Sequence, residues 1–337
     1  MIIPSWFFAY FFKIFSAPKL RDWLIEKYFL KLKKRYNFHF IEDFNPNSDV
    51  GYKLGDEFIL LDVCVYPNGI VRLNDGSFLM RDVRDSYCLA RYFSDAQHVP
   101  KDSIPEATYF GYPYNLKFQF FHFITDALIP NFAINDTPIL LFNNPSDFMI
   151  SIFDRFDIRK RVVFETQGIF CNKLRYRSSI GKWDKKLYKD VRMHLKRKQT
   201  SPAFRKIYVT REGESRNFAN AAQFERFMEK SGFEIVDFSK YSLEEREVVL
   251  SETLVLAGIY GAGLTNMLFM REGSTILDIQ PGHWVKEDYQ LMAKSCDLNY
   301  YSFPTQIKLF GKKNNYYFSE ADFLRFKNFL NLIESNM

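Results

Sequence analysis

In the second half of the chain, short apolar runs alternate with stretches of helical period, and that alternation predicts a fold before any chemistry is considered. Residues 206–210 read as a strand, and 221–230 as a helix with Phe224, Phe227 and Met228 inward, closed by Gly232. Residues 233–238 return to strand, and Ser242-Leu243-Glu244-Glu245 is a capping box opening the next helix. The apolar run 253–257 reads as a buried strand. Gly261 and Gly263 then form a tight turn, 264–270 a short helix and 275–279 a strand. A helix at 288–296 and a strand at 300–303 follow, and a closing helix at 321–334 is expected to pack back across the structure. Strands alternating with helices of this length predict an α/β fold, a parallel sheet covered on both faces. Ligands on such sheets sit at the carboxyl ends of the strands, where both Arg211 and the glycine turn fall.

The first half is less regular. Residues 57–84 alternate and turn, with Pro67-Asn68-Gly69 and Asn74-Asp75-Gly76 as hairpin signals, so a small antiparallel element is expected near the N-terminus. Residues 85–113, with Pro100, Pro105 and Pro113, read as connection. The stretch 117–129 is a helix ended by Pro130; most of its surface is apolar, against one narrow polar stripe of Gln119, His122 and Asp126. A strand at 139–142, a helix at 146–156, strands at 161–165 and 169–177 and a basic helix at 185–198 lead to a hinge at Ser201-Pro202.

Composition narrows the class. A chain of 337 residues with 47% hydrophobic and 18% aromatic content is a folded protein of about two domains. The net charge of +6 comes mainly from residues 27–35 and 182–198. Such runs are solvated helix faces, or they meet an anionic membrane or substrate. Without zinc-finger spacing, an RRM signature or a long basic arm, no nucleic-acid partner is expected. Cys64, Cys88, Cys171 and Cys296 form no C-x-x-C pair, which fits a reducing compartment, hence a cytoplasmic location, and argues against a zinc site or a disulfide framework. Residues 2–12 are apolar and aromatic but too short to span a bilayer. With the basic run 31–35 they read either as a segment lying in the interface of the inner membrane face or as a terminal helix packed on its own protein.

The residues themselves suggest chemistry at two places. A strand, a glycine turn and a helix N-terminus bring unpaired backbone N–H groups to one spot, which suits a phosphate or another anion. The spacing is neither the longer dinucleotide fingerprint nor a P-loop. Arg211 could add a guanidinium there, or pair on the surface with Glu212 or Glu214. Asp278 could accept from ribose hydroxyls or be a solvated carboxylate at a strand end. His122 and Asp126, one turn apart, could be an oriented general base or a satisfied structural contact, and Asp126 could itself be the base.

A resemblance then adds to these readings. Ile207-Tyr208-Val209-Thr210-Arg211, Asn220 at a helix start, Gly232-Phe233-Glu234-Ile235-Val236, and Gly261-Ala262-Gly263-Leu264-Thr265-Asn266 with Phe269 and Gly273-Ser274 resemble glycosyltransferase family 61. So does Phe121-His122-Phe123-Ile124-Thr125-Asp126-Ala127-Leu128-Ile129-Pro130, similar to the family's His-x-x-x-Asp-x-x-x-Pro helix. The resemblance covers about residues 55–305. It implies a GT-B-like architecture, two Rossmann-like domains facing a cleft, and transfer of a sugar with inversion from a nucleotide sugar to a glycan or lipid-linked glycan acceptor, as in capsule and lipopolysaccharide assembly. With the segments and hinge read above, the boundaries are 1–40 for the aromatic and basic segment, 41–200 for an acceptor-side domain, 201–305 for the donor domain and 306–337 for the closing helix. His122 and Asp126 would be catalytic. Arg211, Asn220, Tyr260, Gly261, Ala262, Gly263, Leu264, Thr265, Asn266 and Asp278 would hold the donor.

No cofactor or metal is expected: the chain has no Asp-x-Asp, and Arg211 with the helix N-terminus could relieve the diphosphate's charge instead. One position departs from the family, Tyr260 standing where a His precedes the first glycine. That keeps a second reading open, a non-catalytic glycan- or nucleotide-binding relative. A third is a peripheral membrane protein whose fold merely persists.

Overall fold

A computed structural model describes residues 37–40, 49–54, 57–66, 70–80, 98–109, 120–131, 137–142, 145–165, 168–177, 183–195, 202–211, 217–281, 286–305, 309–310 and 315–335. The aromatic and basic N-terminal segment, Gln119, the Pro67-Asn68-Gly69 turn and the possible ion-pair partners Glu212 and Glu214 lie outside them. The chain divides into two compact units, residues 1–182 and 183–337. The division precedes the basic helix, observed as Lys185–Leu195, which therefore belongs with the second unit and not ahead of a hinge at residue 201.

The first unit is built on one mixed sheet. Its strands are β1 (Phe38–Phe40), β2 (Gly51–Leu54), β3 (Glu57–Val65), β4 (Val71–Arg72), β5 (Phe78–Met80), β6 (Ser103–Tyr109), β7 (Ile139–Phe142), β8 (Val162–Glu165) and β9 (Ile169–Arg177). They lie in the order β1-β5-β4-β3-β9-β6-β7-β8, with β2 on β3. The antiparallel element expected near the front is present as the β2/β3, β3/β4 and β4/β5 pairs. It is continuous with the parallel strands, because the long β9 runs antiparallel to β3 and parallel to β6. This unit's sheet is thus mixed, not the purely parallel sheet of a Rossmann domain.

Strand β6 falls where the sequence suggested connection. Pro105 sits inside it because β7 joins β6 only from Thr108 onward, so among the described residues the proline has no strand neighbour on that side. Phe58, Leu60, Val63, Val65, Leu140, Cys171 and Leu174 form the apolar core on the sheet.

The second unit has the clean alternation that the sequence predicts. Strands β10 (Arg205–Val209), β11 (Glu234–Val236), β12 (Thr253–Ile259), β13 (Thr275–Pro281) and β14 (Asn299–Thr305) are all parallel, in the order β11-β10-β12-β13-β14. β12 is buried along nearly all of its length, as a central parallel strand must be. One face carries Tyr208, Ala257, Leu277 and Phe303 against the helices Ala221–Lys230 and Glu320–Ser335, in a core rich in Phe224, Phe318 and Phe326. The closing helix therefore packs on its own unit's sheet.

The helices Leu243–Ser251 and Asp288–Ser295 and the 3-10 helix Ala262–Phe269 complete this unit. The capping box forms as read, Ser242 Oγ accepting from Glu245 N–H at 3.2 Å and Glu245 Oε2 from Ser242 N–H at 2.8 Å. The basic helix is not wholly solvated. Arg192 is buried and donates to Met270 O at 2.6 Å and to Cys296 O, the carbonyls that close two helices, where a cation is favoured.

Candidate functional site

In strand order the second sheet reverses between β10 and β12: β11 lies to one side of β10, and β12, β13 and β14 to the other. Ligands of open α/β sheets bind outside the carboxyl ends of the strands at such a switch point. The two strand ends that meet there carry Arg211, two residues beyond β10, and Gly261, two beyond β12.

The geometry shows why glycines stand at 261 and 263. Gly261 has φ 165 and ψ 176, extended backbone open to any residue, so its lack of a side chain is a matter of space. A Cβ there would lie 1.9 Å from Arg211 Nη1. A Cβ on Gly263 would lie 2.8 Å from Val209 Cγ1. The guanidinium thus packs directly on the glycine turn, and the turn packs directly on β10. Asn217 Nδ2 donates to Arg211 O at 3.0 Å and ties down the backbone behind it.

The helix after the turn starts at Ala262, two residues before the expected start, and is wound as 3-10. Leu264 N–H bonds to Gly261 O at 3.0 Å. In this winding the leading N–H groups, which have no carbonyl three residues back within the helix, are those of Gly261, Ala262 and Gly263 and not those of 264–266. Leu264, Thr265 and Asn266 are buried, and Asn266 Nδ2 closes back on Gly263 O at 2.8 Å. These three side chains support the turn from beneath.

Three other residues expected at the donor make hydrogen bonds within the protein. Asn220 Oδ1 accepts from Phe318 N–H at 3.1 Å and its Nδ2 donates to Phe318 O at 2.9 Å, so its amide fastens the C-terminal segment to a helix start. Asp278 is fully buried and so is not a solvated strand-end carboxylate; Tyr300 Oη donates to its Oδ2 at 2.7 Å and Gln280 Nε2 at 2.8 Å. Burial pushes its pKa from 3.8 up to about 6, against the lowering effect of those two bonds. Tyr260 is buried, donates from its hydroxyl to Asp288 Oδ2 at 2.8 Å, and stands edge-on to Tyr289. Burial and the Asp288 carboxylate both push its pKa up, so the hydroxyl keeps its proton and remains a donor. Gln280, Asp288 and Tyr300 were not legible as members of this cluster, since nothing local in the sequence says which strand faces meet.

In the first unit, His122 and Asp126 share the helix α1. It consists of α-helical Phe120–His122, π-helical Phe123–Leu128 and α-helical Ile129–Asn131. His122 Nδ1 lies 2.6 Å from Asp126 Oδ2, the Asp126 side chain being 4% exposed and that of His122 28%. The pair is an imidazole oriented by a buried carboxylate, with its ring partly open to solvent.

Among the described residues no helix is long and apolar enough to cross a membrane, and no group of three or more His, Cys, Asp and Glu is placed to hold a metal ion. The family model described as Glycosyltransferase 61 matches residues 120–277, a little under half of the chain, from the start of α1 to the middle of β13. The match supports glycosyltransferase family 61, and with it a sugar donor and a glycan acceptor. No curated protein matches the chain.

Proposed function

We propose that the protein is an inverting, metal-independent glycosyltransferase that moves a sugar from a nucleotide sugar to a growing capsular or lipopolysaccharide glycan. The observation that carries this reading is the meeting of the Arg211 guanidinium with the glycine turn at the switch point of a parallel sheet. A guanidinium and the leading N–H groups of a helix together suit the departing diphosphate, which gains charge as the glycosidic bond breaks. The donor contacts narrow to Arg211 and the backbone of Gly261, Ala262 and Gly263. Tyr260, Leu264, Thr265, Asn266 and Asp278 act beneath them.

His122 takes the proton of the acceptor hydroxyl, and Asp126 orients the ring and stabilises its charged form. An inverting transfer needs that single base and no covalent intermediate on the enzyme. A GT-B arrangement is part of the same proposal, supported by the parallel sheet of the second unit, as is a cytoplasmic site of action at the inner membrane face, supported by the aromatic and basic N-terminal sequence.

The experiment is a thermal-shift screen of nucleoside diphosphates and nucleotide sugars, followed by a transfer and hydrolysis assay with each donor that binds. A donor that raises the melting temperature and is turned over is the expected result; a panel with no shift at all rejects the reading. The Tyr260–Asp288 bond favours one alternative, a non-catalytic relative, because a hydroxyl already donating to Asp288 offers that proton to no phosphate. Binding without turnover across the whole panel is the outcome that selects it.

A further inference from the structure

Helix α1 departs from α-helical winding where the catalytic pair lies. Ile129 N–H bonds to Ile124 O, five residues back instead of four, and the widened turn covers Phe123–Leu128. The next residue explains the widening. In an unbroken α-helix residue 130 would donate to the carbonyl of Asp126, but Pro130 has no N–H and its ring would press on that carbonyl. One extra residue in the turn moves the carbonyl away. Side chains also bond to main-chain carbonyls on either side of the change of register. Thr125 Oγ1 donates to Phe121 O at 3.0 Å, and Asn131 Nδ2 donates to Ala127 O at 2.8 Å. Thr125 and Asn131 are both buried.

We propose that Pro130, Thr125 and Asn131 are positioning residues: they fix a π-turn that sets the direction in which His122 points relative to the buried part of its helix. Each α-helical residue advances about 100° around the axis. Removing the extra residue therefore swings His122 by about 100° relative to Ile129–Asn131. Leu128, Ile129 and Asn131 hold the C-terminal end in the core, so the N-terminal end, whose Phe120, Phe121 and His122 are partly exposed, is the one that turns. Single π-turns inside α-helices recur at functional sites. The inference rests on the reading of His122 as the base, and its test has one arm that does not.

That test is Pro130→Ala in the full chain. Alanine restores the N–H and favours the α-helix, against the loss of the buried proline ring and a repacking of Phe123 and Ile124, so the variant is expected to fold with a lowered melting temperature. The first readout is the rate at which diethyl pyrocarbonate modifies His122, measured by peptide mass spectrometry against the exposed His194 as internal reference. The second is the split between kcat and the KM for donor. The expected result is a change of more than threefold in His122 reactivity, in either direction, with kcat reduced to the level of His122→Ala and the donor KM unchanged. Wild-type reactivity, or wild-type kcat in an active enzyme, overturns the proposal. Should Pro130→Ala fail to fold, Thr125→Val removes one hydroxyl at nearly constant shape, and the same readouts should move in the same sense by a smaller factor; wild-type values there overturn the proposal too. If the wild type transfers no sugar from any donor, the catalytic reading falls, while His122 reactivity still decides whether Pro130 sets the turn.

Discussion

Gly261→Ala tests whether the glycine turn serves a ligand or only the chain's own path. The backbone at Gly261 is extended, so alanine adds no conformational strain there. The new Cβ would instead stand 1.9 Å from Arg211 Nη1, 2.9 Å from Cζ and 3.4 Å from Nη2. To regain van der Waals separation the guanidinium must retreat by about 1.5 Å or more. It can do so cheaply, being the far end of a flexible side chain, and the melting temperature should barely move. Charge-assisted N–H···O bonds, however, span only about 2.7–2.9 Å. A retreat of that size takes Arg211 out of reach of a phosphate seated on the turn. The loss is about 1.5–3 kcal/mol, or roughly ten- to 150-fold in Kd.

The assay is calorimetry of nucleoside diphosphates with wild type, Gly261→Ala, Arg211→Ala and the double variant, which form a cycle. Both substitutions remove the same contact, so adding Gly261→Ala to Arg211→Ala should cost nothing further. Wild-type affinity in Gly261→Ala, or full additivity of the two losses, refutes a diphosphate site built from Arg211 and this turn.

Other variants address the remaining parts. His122→Ala should lower kcat by about 10²–10⁴-fold and Asp126→Asn should also lose transfer, with nucleoside diphosphate affinity kept in both; normal turnover in either removes that residue from the mechanism. Asn220→Ala should destabilise the second unit by about 1–3 kcal/mol, because the backbone groups of Phe318 lose their partner, and should leave donor affinity intact; a selective loss of affinity would return Asn220 to the donor site. Asp278 has a folded pKa raised from 3.8 to about 6. Its neutral form thus favours the fold: the stabilisation is fully present below pH 4 and disappears as pH rises through 6, a change of about 3 kcal/mol. In urea titrations read by thiol labelling of the buried Cys296, wild type should lose stability across that window relative to Asp278→Asn, and parallel curves would show that the carboxylate does not titrate there.

How far the sequence disclosed all this depends on the range of the physics involved. The helix Ala221–Lys230, its stop at Gly232 with φ 82, and the Ser242–Glu245 capping box were legible because a few neighbouring residues decide them. Gly261 and Gly263 were legible as a turn, but not as the surface on which Arg211 and Val209 pack, since that needs strand order. The connection expected across residues 85–113 hid β6, because Pro105 breaks a strand only where a neighbour requires its N–H, and the point at which β7 begins to pair with β6 is a tertiary fact. Asp278 looked like a strand-end ligand group because period-two alternation assigns a residue to a face without saying what covers the face. What meets Asp278 on that face, the Gln280 amide and the Tyr300 hydroxyl, follows from strand order and not from any local pattern.

Pro130 belongs to both kinds. It reads locally as a helix stop, yet the helix continues through it to Asn131, because one extra residue moves the opposing carbonyl away from the proline ring, and Thr125 and Asn131 bond to Phe121 O and Ala127 O on either side of the change. A breaker inside a helix need not end it when the core holds the segment beyond the breaker. The chain then absorbs the missing N–H as a change of phase, and any functional group N-terminal to the proline is rotated by that change. In this protein the rotated group is His122, so under the proposed reading Pro130 decides where the base points.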